Sequence, residues 1–293
     1  MELKFRKFHQ KFPYLDIQES IEYFSIFDGY PLSDKLNLSY DLKTVIKKEI
    51  IDKVDMLKEY FIYDKIEEDQ KLIEKILIRL SKGDRKNYSV YDKENLPQGK
   101  GRELFGHLYS LDVIKKEKSR EEPFKKTKKQ PIKKSLRRYK VQDKIHISNN
   151  FTRFWFTFIL PLLNKNEEIT FSSIEPYIEK YISLEFEKLS ISLIIEKYKN
   201  EEILNSGSYW GKNIEIDLYI ETKKRKIAGE AKWKNSKICK NILNSLQKKC
   251  IRANLPIDTF VLFSKSSFSK ELKSKKYDNT QIYELSDFEV LYK

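Results

Sequence analysis

Two short apolar segments near the C-terminus each carry an acidic residue where a buried sheet face would normally exclude one. They are residues 214–220 (IEIDLYI), with Asp217, and residues 226–233 (KIAGEAKW), with Glu230. Lys232 follows Glu230 by two residues, so in a strand both side chains point to the same face. Carboxylate oxygens are the ligands that Mg²⁺ selects, and an ammonium group pairs with phosphate oxygens. The three side chains could therefore hold a divalent metal ion, a water molecule and a phosphodiester together.

The segments around this pair predict the elements that would position it. A polar turn at residues 222–225 would join the two segments as a hairpin of strands. An amphipathic helix is predicted next, at residues 237–253, followed by strands at residues 258–264 and 281–285. With a long helix from about residue 174 to residue 198, these elements predict a small mixed sheet flanked by helices.

A third carboxylate, Glu187, lies in that long helix on a face that the sequence pattern predicts to be apolar. Its neighbours on that face are Ile191, Ile194 and Tyr198. An unpaired buried carboxylate is costly, so Glu187 is predicted to contact a cation, a hydrogen-bond donor or a metal-bound water. An ordinary salt bridge within the fold is the alternative. Glu185 and Glu196 fall on the polar side and are interpreted as surface charges.

Charge and composition indicate an anionic partner. The 293 residues carry a formal net charge of +14, and the sequence pI is near 9.3. Such a field concentrates polyanions and speeds their encounter, so nucleic acid is the leading candidate. The alternative is that the abundance of Lys, Ile, Asn and Tyr reflects the base composition of a genome. The location of the charge is therefore more informative than its total.

Several kinds of site are not expected. No stretch of the form GxxxxGKS or GxxxxGKT occurs, so no loop is predicted to cradle a nucleoside triphosphate. Cys239 and Cys250 lie too far apart in a helical segment for a disulfide, and three histidines without a CxxC pair do not suggest zinc or haem. The longest apolar stretch, residues 154–163, is too short to span a bilayer, and no signal-peptide pattern follows Met1. We predict a soluble cytoplasmic protein with no membrane partner.

Residues 69–111 have the order of a helix-turn-helix. A helix-period stripe of four aliphatic residues ends at Gly83: Ile73, Ile76, Leu77 and Leu80. A short helix at residues 88–95, a turn at residues 96–99 and a second amphipathic helix at residues 102–111 follow. Helix, short helix, turn and helix is the arrangement in which the last helix enters the DNA major groove.

Two strand-like segments after this helix, residues 112–118 and 136–141, predict a wing. Residues 115–140 contain thirteen Lys or Arg and three Glu, a net of +10 out of the chain's +14. Such a run is either a solvated, disordered segment or a phosphate-binding one, and its position on a wing favours phosphate binding. We predict nucleic-acid contacts from the helix at residues 102–111 and from this basic segment: Arg102, Lys125, Lys126, Lys128, Lys129, Lys133, Lys134, Arg137 and Arg138.

The run at residues 150–163 is dense in aromatic side chains at helix spacing. They are Phe151, Phe154, Trp155 and Phe158. Stacking on bases is one interpretation, and burial in a core is the favoured one. Pro161 is predicted to end this helix. Residues 1–66, which precede the helix-turn-helix, are predicted to be helical and structural.

Asp217, followed across a hairpin by Glu230-Ala231-Lys232, resembles the signature of the PD-(D/E)XK nucleases. Residues 210–217 and 229–233 (GEAKW) are more specifically similar to the nuclease-like C-terminal domain of archaeal-type AAA ATPases, a domain of unknown function.

The likeness extends upstream to about residue 17. Residues 138–143 and 154–156 resemble the family's link between a winged helix and the nuclease-like domain, and Phe186-Glu187 matches its acidic helix. Residues 23–31 resemble the segment that follows the ATPase core. The ATPase domain itself has no counterpart in this sequence. A motor role is therefore not carried over, and a separate ATPase partner is left open.

The resemblance implies that Asp217, Glu230 and the main-chain carbonyl of Ala231 hold Mg²⁺ or Mn²⁺, with no other cofactor. Glu187 would complete the site directly or through water, and Lys232 would orient the attacking water and offset charge on the phosphorane. The expected function is metal-dependent hydrolysis of phosphodiester bonds in nucleic acid, with DNA favoured. The alternative is a non-catalytic DNA-binding regulator or scaffold whose nuclease-like domain binds other molecules.

The predicted fold class is α+β and multidomain. A helical region at residues 1–66 precedes a winged helix-turn-helix with a basic wing and linker helix at residues 67–166. An α/β domain of the PD-(D/E)XK restriction-endonuclease type, with a mixed sheet flanked by helices, is predicted at residues 167–293. A homodimer is left open.

Overall fold

The structure is a computed structural model that describes residues 2–83, 87–121, 131, 139, 141–274 and 279–293. These residues form an α+β protein and divide into two compact units. The sheet unit comprises the described residues of Met1–Glu22, Ser119–Val141 and Glu179–Lys293; the helical unit comprises those of Tyr23–Lys118 and Gln142–Ile178. The three-domain division at residues 66 and 166 stays a prediction.

Short helices make up the first part of the chain. They are α1 (Glu2–Lys11), α2 (Ile17–Phe27), α3 (Leu42–Glu49) and α4 (Val54–Lys58). The start of α3 is encoded locally, because the Asp41 carboxylate accepts a hydrogen bond from the Thr44 amide at 3.0 Å and caps the helix. The predicted helical character of the N-terminal region is confirmed.

Three helices follow in the predicted order: α5 (Glu67–Ser81), α6 (Asn87–Lys93) and α7 (Gln98–Ser110). The aliphatic stripe of α5 is buried, and the helix ends just before Gly83, which has a φ of +100°. α7 begins at Gln98, earlier than predicted, because the preceding Pro97 has an extended conformation from which a helix can start directly. Part of the predicted turn therefore belongs to α7.

A two-stranded antiparallel ribbon follows these helices in the helical unit. β1 (Ile114–Glu117) pairs with β2 (Lys144–Ile147), so that Ile114 lies opposite Ile147. The first strand was predicted. The second was predicted at residues 136–141, which lie mostly outside the described residues, and β1 instead pairs with the segment beyond them. In β2, Ile145 and Ile147 alternate with Lys144 and His146 and are buried on one face, and Lys144 on the other face is buried as well.

The aromatic run forms one continuous helical segment: α8 (Asn150–Phe154), a π-helical turn (Trp155–Ile159) and α9 (Leu160–Leu163). Its predicted burial is confirmed, and Trp155 stacks on Phe61 with ring centroids 4.6 Å apart. The prediction that Pro161 ends the helix is wrong. The Leu160 amide bonds to the Trp155 carbonyl in π geometry, and Pro161 then falls in the first turn of α9, where its missing N–H is tolerated.

The described residues of the sheet unit contain a five-stranded mixed sheet. After α10 (Phe171–Lys197), its strands are β3 (Ile203–Gly211), β4 (Ile214–Thr222), β5 (Lys226–Lys232), β6 (Thr259–Ser264) and β7 (Thr280–Tyr283), paired in that spatial order. The first three run antiparallel, and β6 and β7 add in parallel. The turn-rich residues 206–211 form the second half of β3, which has register shifts on both sides of Ser206.

Helices cover this sheet as predicted. α11 (Lys240–Arg252) connects β5 to β6, and its Leu243, Leu246 and Cys250 pack with residues of the sheet in one core cluster. Cys239 was predicted to lie inside, but it precedes α11 as its N-cap residue and is exposed. From α10, Phe186 packs its ring on Trp233 at 5.0 Å between centroids.

Two short helical elements complete the described chain: α12 (Lys270–Lys273) and a 3₁₀ helix at Leu285–Leu291. Among the described helices, none combines the length and the apolar character needed to cross a bilayer.

Close packing between β5 and β6 requires a glycine beside the acidic residue of β5. A Cβ at Gly229 would lie 2.6 Å from Val261 Cγ2 and 3.0 Å from the Val261 carbonyl oxygen, with Leu218 on the other side. We expect Gly229→Ala to lower the free energy of unfolding by about 1–3 kcal/mol, because the strands must separate to admit the methyl group. Denaturant unfolding measures this loss.

The matched control is Gly106→Ala on α7, where no heavy atom lies within 4 Å of the added Cβ. Helix propensity alone should make that variant about 0.5–1 kcal/mol more stable. Equal effects of the two substitutions would contradict the close approach of β5 and β6.

Candidate active site

Strand alternation places the two acidic residues on one face of the sheet. Tyr219 of β4 lies opposite Ala228 of β5, so Asp217 and Glu230 extend the same face by one alternate position on each strand. Lys232 follows on that face at the end of β5. α11 packs on this face, because its apolar residues share a core cluster with Tyr219 and Ala228.

The structure brings the three predicted side chains together. Lys232 Nζ donates to Glu230 Oε1 at 2.7 Å and to Asp217 Oδ2 at 3.3 Å. The Ala231 amide donates to the same Asp217 oxygen at 3.1 Å. The hairpin between β4 and β5 fixes this arrangement, because it sets the register that puts Asp217 beside the Glu230-Ala231-Lys232 segment.

A fourth residue, Lys249 of α11, was not predicted. Its Nζ lies 3.0 Å from Glu230 Oε1 and 2.9 Å from Oε2, so it contacts both oxygens of that carboxylate. One feature of the sequence could have indicated that Lys249 lies near the site. Lys249 follows Leu246 by three residues and precedes Cys250, so it borders the apolar stripe of an amphipathic helix that the pattern already placed against the sheet.

Burial and charge strongly affect the site. Only 13% of the Asp217 side chain and 8% of the Glu230 side chain are exposed. Burial, together with the nearby Glu230 charge, raises the pKa of Asp217 above its ordinary value. Burial alone would lower the pKa of Lys232, but the Asp217 and Glu230 carboxylates more than offset this and raise it. The described groups of the site are two carboxylates, Asp217 and Glu230, and two ammonium groups, Lys232 and Lys249. Their formal charges sum to zero.

The donor set fits a hard divalent cation. All hydrogen bonds to Asp217 from the described residues fall on Oδ2, so Oδ1 has no donor there. No cluster of three or more His, Cys, Asp or Glu suited to a metal occurs in the described part of the chain. Mg²⁺ commonly keeps several waters and is bound through one or two protein carboxylates plus substrate phosphates, and Asp217 and Glu230 match that number of carboxylates. The ligand role of the Ala231 carbonyl stays a prediction.

The acidic residues of α10 are placed differently from the prediction. Glu185, interpreted as a surface charge, is fully buried and its Oε2 lies 2.8 Å from Lys188 Nζ, whereas Glu187 is only half-buried. The buried stripe passes through Ile182, Phe186 and Leu189, which puts Glu185 inside it and Glu187 at its flank. Among the described residues, Asp217, Glu230 and Lys232 form ion pairs only with one another and with Lys249. Glu187 is therefore not one of their ion-pair partners.

The predicted nucleic-acid contacts are described only in part. Arg102 is exposed on α7. Lys125, Lys126, Lys128, Lys129, Lys133, Lys134, Arg137 and Arg138 lie outside the described residues. Arg120, in the part of the basic segment that belongs to the sheet unit, donates to the main-chain carbonyls of Ser206 and Ser208 and to the Asn205 side chain. Tyr139, near the other end of the segment, donates to Glu121 at 2.8 Å.

Fold and site together define an α+β protein with a buried carboxylate and lysine centre on a mixed sheet. A family model described as "Archaea bacterial proteins of unknown function" matches residues 155–243, which include Asp217, Glu230 and Lys232. An uncharacterized protein of Methanocaldococcus jannaschii is 26% identical over an alignment of 303 positions that covers 98% of this chain and 64% of the relative. The chain thus spans less than two thirds of that relative's length. No solved structure matches this chain.

The two carboxylates should differ in their effect on stability. Glu230→Gln leaves Lys232 and Lys249 without the charge that both contact, and we expect a loss of about 3 kcal/mol in the free energy of unfolding. Asp217→Asn removes a carboxylate that is unfavourably charged in the fold, so its melting temperature at pH 7 should equal or exceed that of the wild type. Thermal unfolding of both variants measures the contrast.

The sign of the pH dependence follows from the raised pKa of Asp217. The folded state binds this proton more tightly than the unfolded state, so wild-type stability falls as pH rises from about 4 through the folded pKa. The advantage of Asp217→Asn should therefore be small near pH 4 and larger at pH 7. An advantage that shrinks with rising pH would contradict the raised pKa.

Proposed function

We propose that this protein is a metal-dependent nuclease that hydrolyses phosphodiester bonds in nucleic acid, with DNA as the favoured substrate. The observation that carries the proposal is the convergence of Asp217, in the first half of β4, with Glu230 and Lys232, at the end of β5, on one face of the sheet. A mixed sheet flanked by helices, with this constellation, supports assignment of the sheet unit to the PD-(D/E)XK class.

Each residue has a defined task in this proposal. Asp217 and Glu230, with the main-chain carbonyl of Ala231, hold Mg²⁺ or Mn²⁺. The bound ion supplies Lewis acidity and a more acidic water. Lys232 keeps its proton because two carboxylates raise its pKa, so its ammonium group can orient the attacking water and offset negative charge on the phosphorane. Glu187 is kept as a more distant, water-mediated contributor.

Substrate binding is assigned to two other parts of the chain. The order of α5, α6, α7, β1 and β2 supports a winged helix-turn-helix, in which exposed Arg102 on α7 faces nucleic acid. The basic segment between β1 and β2 would neutralise phosphates without reading bases, which predicts steep salt dependence and low sequence specificity. The net charge of +14 supports this division of labour. A cytoplasmic location, a homodimer and a separate ATPase partner stay open predictions.

One observation favours the second candidate, a non-catalytic DNA-binding regulator or scaffold. Lys232 and Lys249 already give Glu230 and Asp217 positively charged partners, so both carboxylates have counter-charges without a metal ion. A salt-bridged core of this kind would also serve a protein that only binds.

Cleavage of supercoiled plasmid by the purified protein separates the two candidates. We expect nicked or linear DNA with Mg²⁺ or Mn²⁺ and none with EDTA, and we expect Asp217→Ala to abolish the reaction. Binding of labelled duplex is measured in parallel. Equal cleavage by wild type and Asp217→Ala, or binding without any metal-dependent cleavage, would reject the nuclease and favour the scaffold.

A further inference from the structure

Both oxygens of the Glu230 carboxylate are bound by lysine ammonium groups. Lys232 and Lys249 both lie within 3.0 Å of Oε1, and Lys249 alone lies 2.9 Å from Oε2. Glu230 is only 6% exposed, so little room remains around it for a further ligand. A cation that coordinates Glu230 directly must therefore replace an ammonium group.

The two lysines are not equivalent candidates for replacement. Lys232 contacts both Asp217 and Glu230 and comes from the same strand as Glu230, whereas Lys249 pairs with Glu230 alone among the described residues. Lys249 is also the more exposed of the two, with 29% of its side chain accessible against 23%. Removal of Lys249 would leave Oε2 with no donor from the described part of the chain and would keep the bridge between the two carboxylates.

A divalent ion would change the net charge of the site and with it the attraction for a phosphodiester. With the described groups alone, two carboxylates and two ammonium groups sum to zero, which attracts a phosphodiester only weakly. With a divalent ion added, the same groups sum to +2, and the ammonium group next to the ion is repelled by it. A phosphodiester then offers that ammonium group a new anionic partner.

We propose that Lys249 is a displaceable cation that occupies the metal position on Glu230 in the resting protein and moves to the substrate phosphate when the metal ion binds. This inference rests on the proposed nuclease function. Lys249 holds Glu230 ready without a metal ion, so the buried carboxylate is not left uncompensated. Its anchor on α11, which packs against β4 and β5, keeps the released ammonium group within side-chain reach of the same face.

The same arrangement makes metal binding dependent on substrate. If the site accepts the metal ion only when Lys249 is away from Glu230, its apparent affinity for the ion is the intrinsic affinity multiplied by the fraction of molecules in which Lys249 is away. A bound phosphodiester that holds Lys249 raises that fraction. Metal ion and nucleic acid should therefore bind cooperatively, which limits metal occupancy and cleavage until substrate is present.

Titration of Mn²⁺ into the purified protein by calorimetry, without nucleic acid, tests the displacement. We expect Lys249→Gln to bind Mn²⁺ about ten-fold more tightly than wild type, because the competing ammonium group is gone. Lys248→Gln is the matched control: its neighbouring side chain is exposed on the same helix and should change Mn²⁺ affinity less than two-fold. Lys249→Arg keeps the charge and can bind the carboxylate through two N–H groups, so it should bind Mn²⁺ more weakly than wild type.

Binding of labelled duplex DNA in Ca²⁺, in place of the activating ion, tests the second half of the proposal. Lys249→Gln should bind DNA about ten-fold more weakly than Lys248→Gln and should lose the increase in Ca²⁺ affinity that DNA produces in wild type. If Lys249→Gln fails to fold, the weaker Mn²⁺ affinity expected of Lys249→Arg carries the test alone.

The outcomes separate failure of this inference from failure of the nuclease. Mn²⁺ binding that is lost in Asp217→Asn, with equal affinity in wild type and Lys249→Gln, overturns the displacement and leaves the metal site standing. No Mn²⁺ binding by wild type or by Lys249→Gln overturns both. Tighter Mn²⁺ binding by Lys249→Gln, with cleavage absent from wild type, supports displacement in a site that is not catalytic.

Discussion

Replacement of Lys232 by methionine is expected to lower the rate of DNA cleavage about 100- to 1,000-fold. An ammonium group placed where negative charge develops stabilises the transition state, and removal of one such donor typically costs this much. Its Nζ contacts both carboxylates of the candidate site and keeps its proton because they raise its pKa. Single-turnover cleavage at saturating Mg²⁺ measures the chemical step directly.

Lys226→Met provides a control on the same strand. Lys226 lies at the opposite end of β5, outside the site, where its Nζ is 3.2 Å from Glu221 Oε1. Loss of the Lys226 ammonium group should therefore leave the cleavage rate unchanged. The fold should survive Lys232→Met, because Glu230 retains Lys249 as a counter-charge. A folded Lys232→Met variant that cleaves as fast as wild type would remove Lys232 from the chemistry.

The core of the site could be predicted because it depends on local spacing. Glu230 and Lys232 are two residues apart on one strand, and a short hairpin brings Asp217 beside them, so the alternation of side chains settles which face they share. The mixed sheet flanked by helices could be predicted for the same reason. Short apolar strands alternate with amphipathic helices along the sequence.

Lys249 was not predicted as part of the site, and the interpretation of Glu185 as a surface charge is wrong, because both positions depend on packing between elements. The contact of Lys249 with Glu230 joins residues nineteen apart in sequence and requires a particular depth and rotation of α11 on the sheet. On α10, the assumed phase put Glu187 on the buried face, but each residue turns a helix by about 100°, so a small error in phase exchanges buried and flanking positions. Sequence periodicity fixes the existence of such a stripe better than its edges.

Pro161 and the second strand of the ribbon illustrate two further limits. A single π-helical turn lets the helix pass Pro161, and the hydrogen-bond shift that allows it leaves no clear pattern in residue types. Residues 136–141 are the predicted partner of β1, but β1 pairs with Lys144–Ile147, which requires a longer connection between the two strands. The pairing of a short strand depends on which segment can bury an apolar face against it. Residues 136–141 and Lys144–Ile147 both have residue types suited to a strand, so the sequence alone does not decide between them.

Neutralisation of Lys125, Lys126, Lys128 and Lys129 to glutamine is expected to weaken DNA binding about 100-fold or more at low salt. Each phosphate contact contributes about 0.9 to the slope of log affinity against log salt concentration for duplex DNA, so loss of four contacts should reduce that slope by about 3 to 4. The basic segment carries +10 of the net charge of +14, so these contacts should dominate affinity. Fluorescence anisotropy over a range of salt concentrations measures both quantities.

A matched control separates the segment from bulk charge. Replacement of Lys47, Lys58, Lys65 and Lys82, all exposed in the helical unit, by glutamine lowers the net charge by the same four units. If affinity arises from the protein's overall field, both quadruple variants should lose it equally. If the basic segment contacts phosphates directly, only its own variant should lose the salt slope.

Kinetics of the same variant bear on what the segment serves. Within the sheet unit, Arg120 of the basic segment bonds to β3, and the same unit contains Asp217, Glu230 and Lys232. A segment that only gathers substrate for that site should raise KM and leave kcat unchanged, because its contacts are equal in the ground state and the transition state. A fall in kcat at saturating DNA would instead mean that the segment also sets the position of the scissile phosphate.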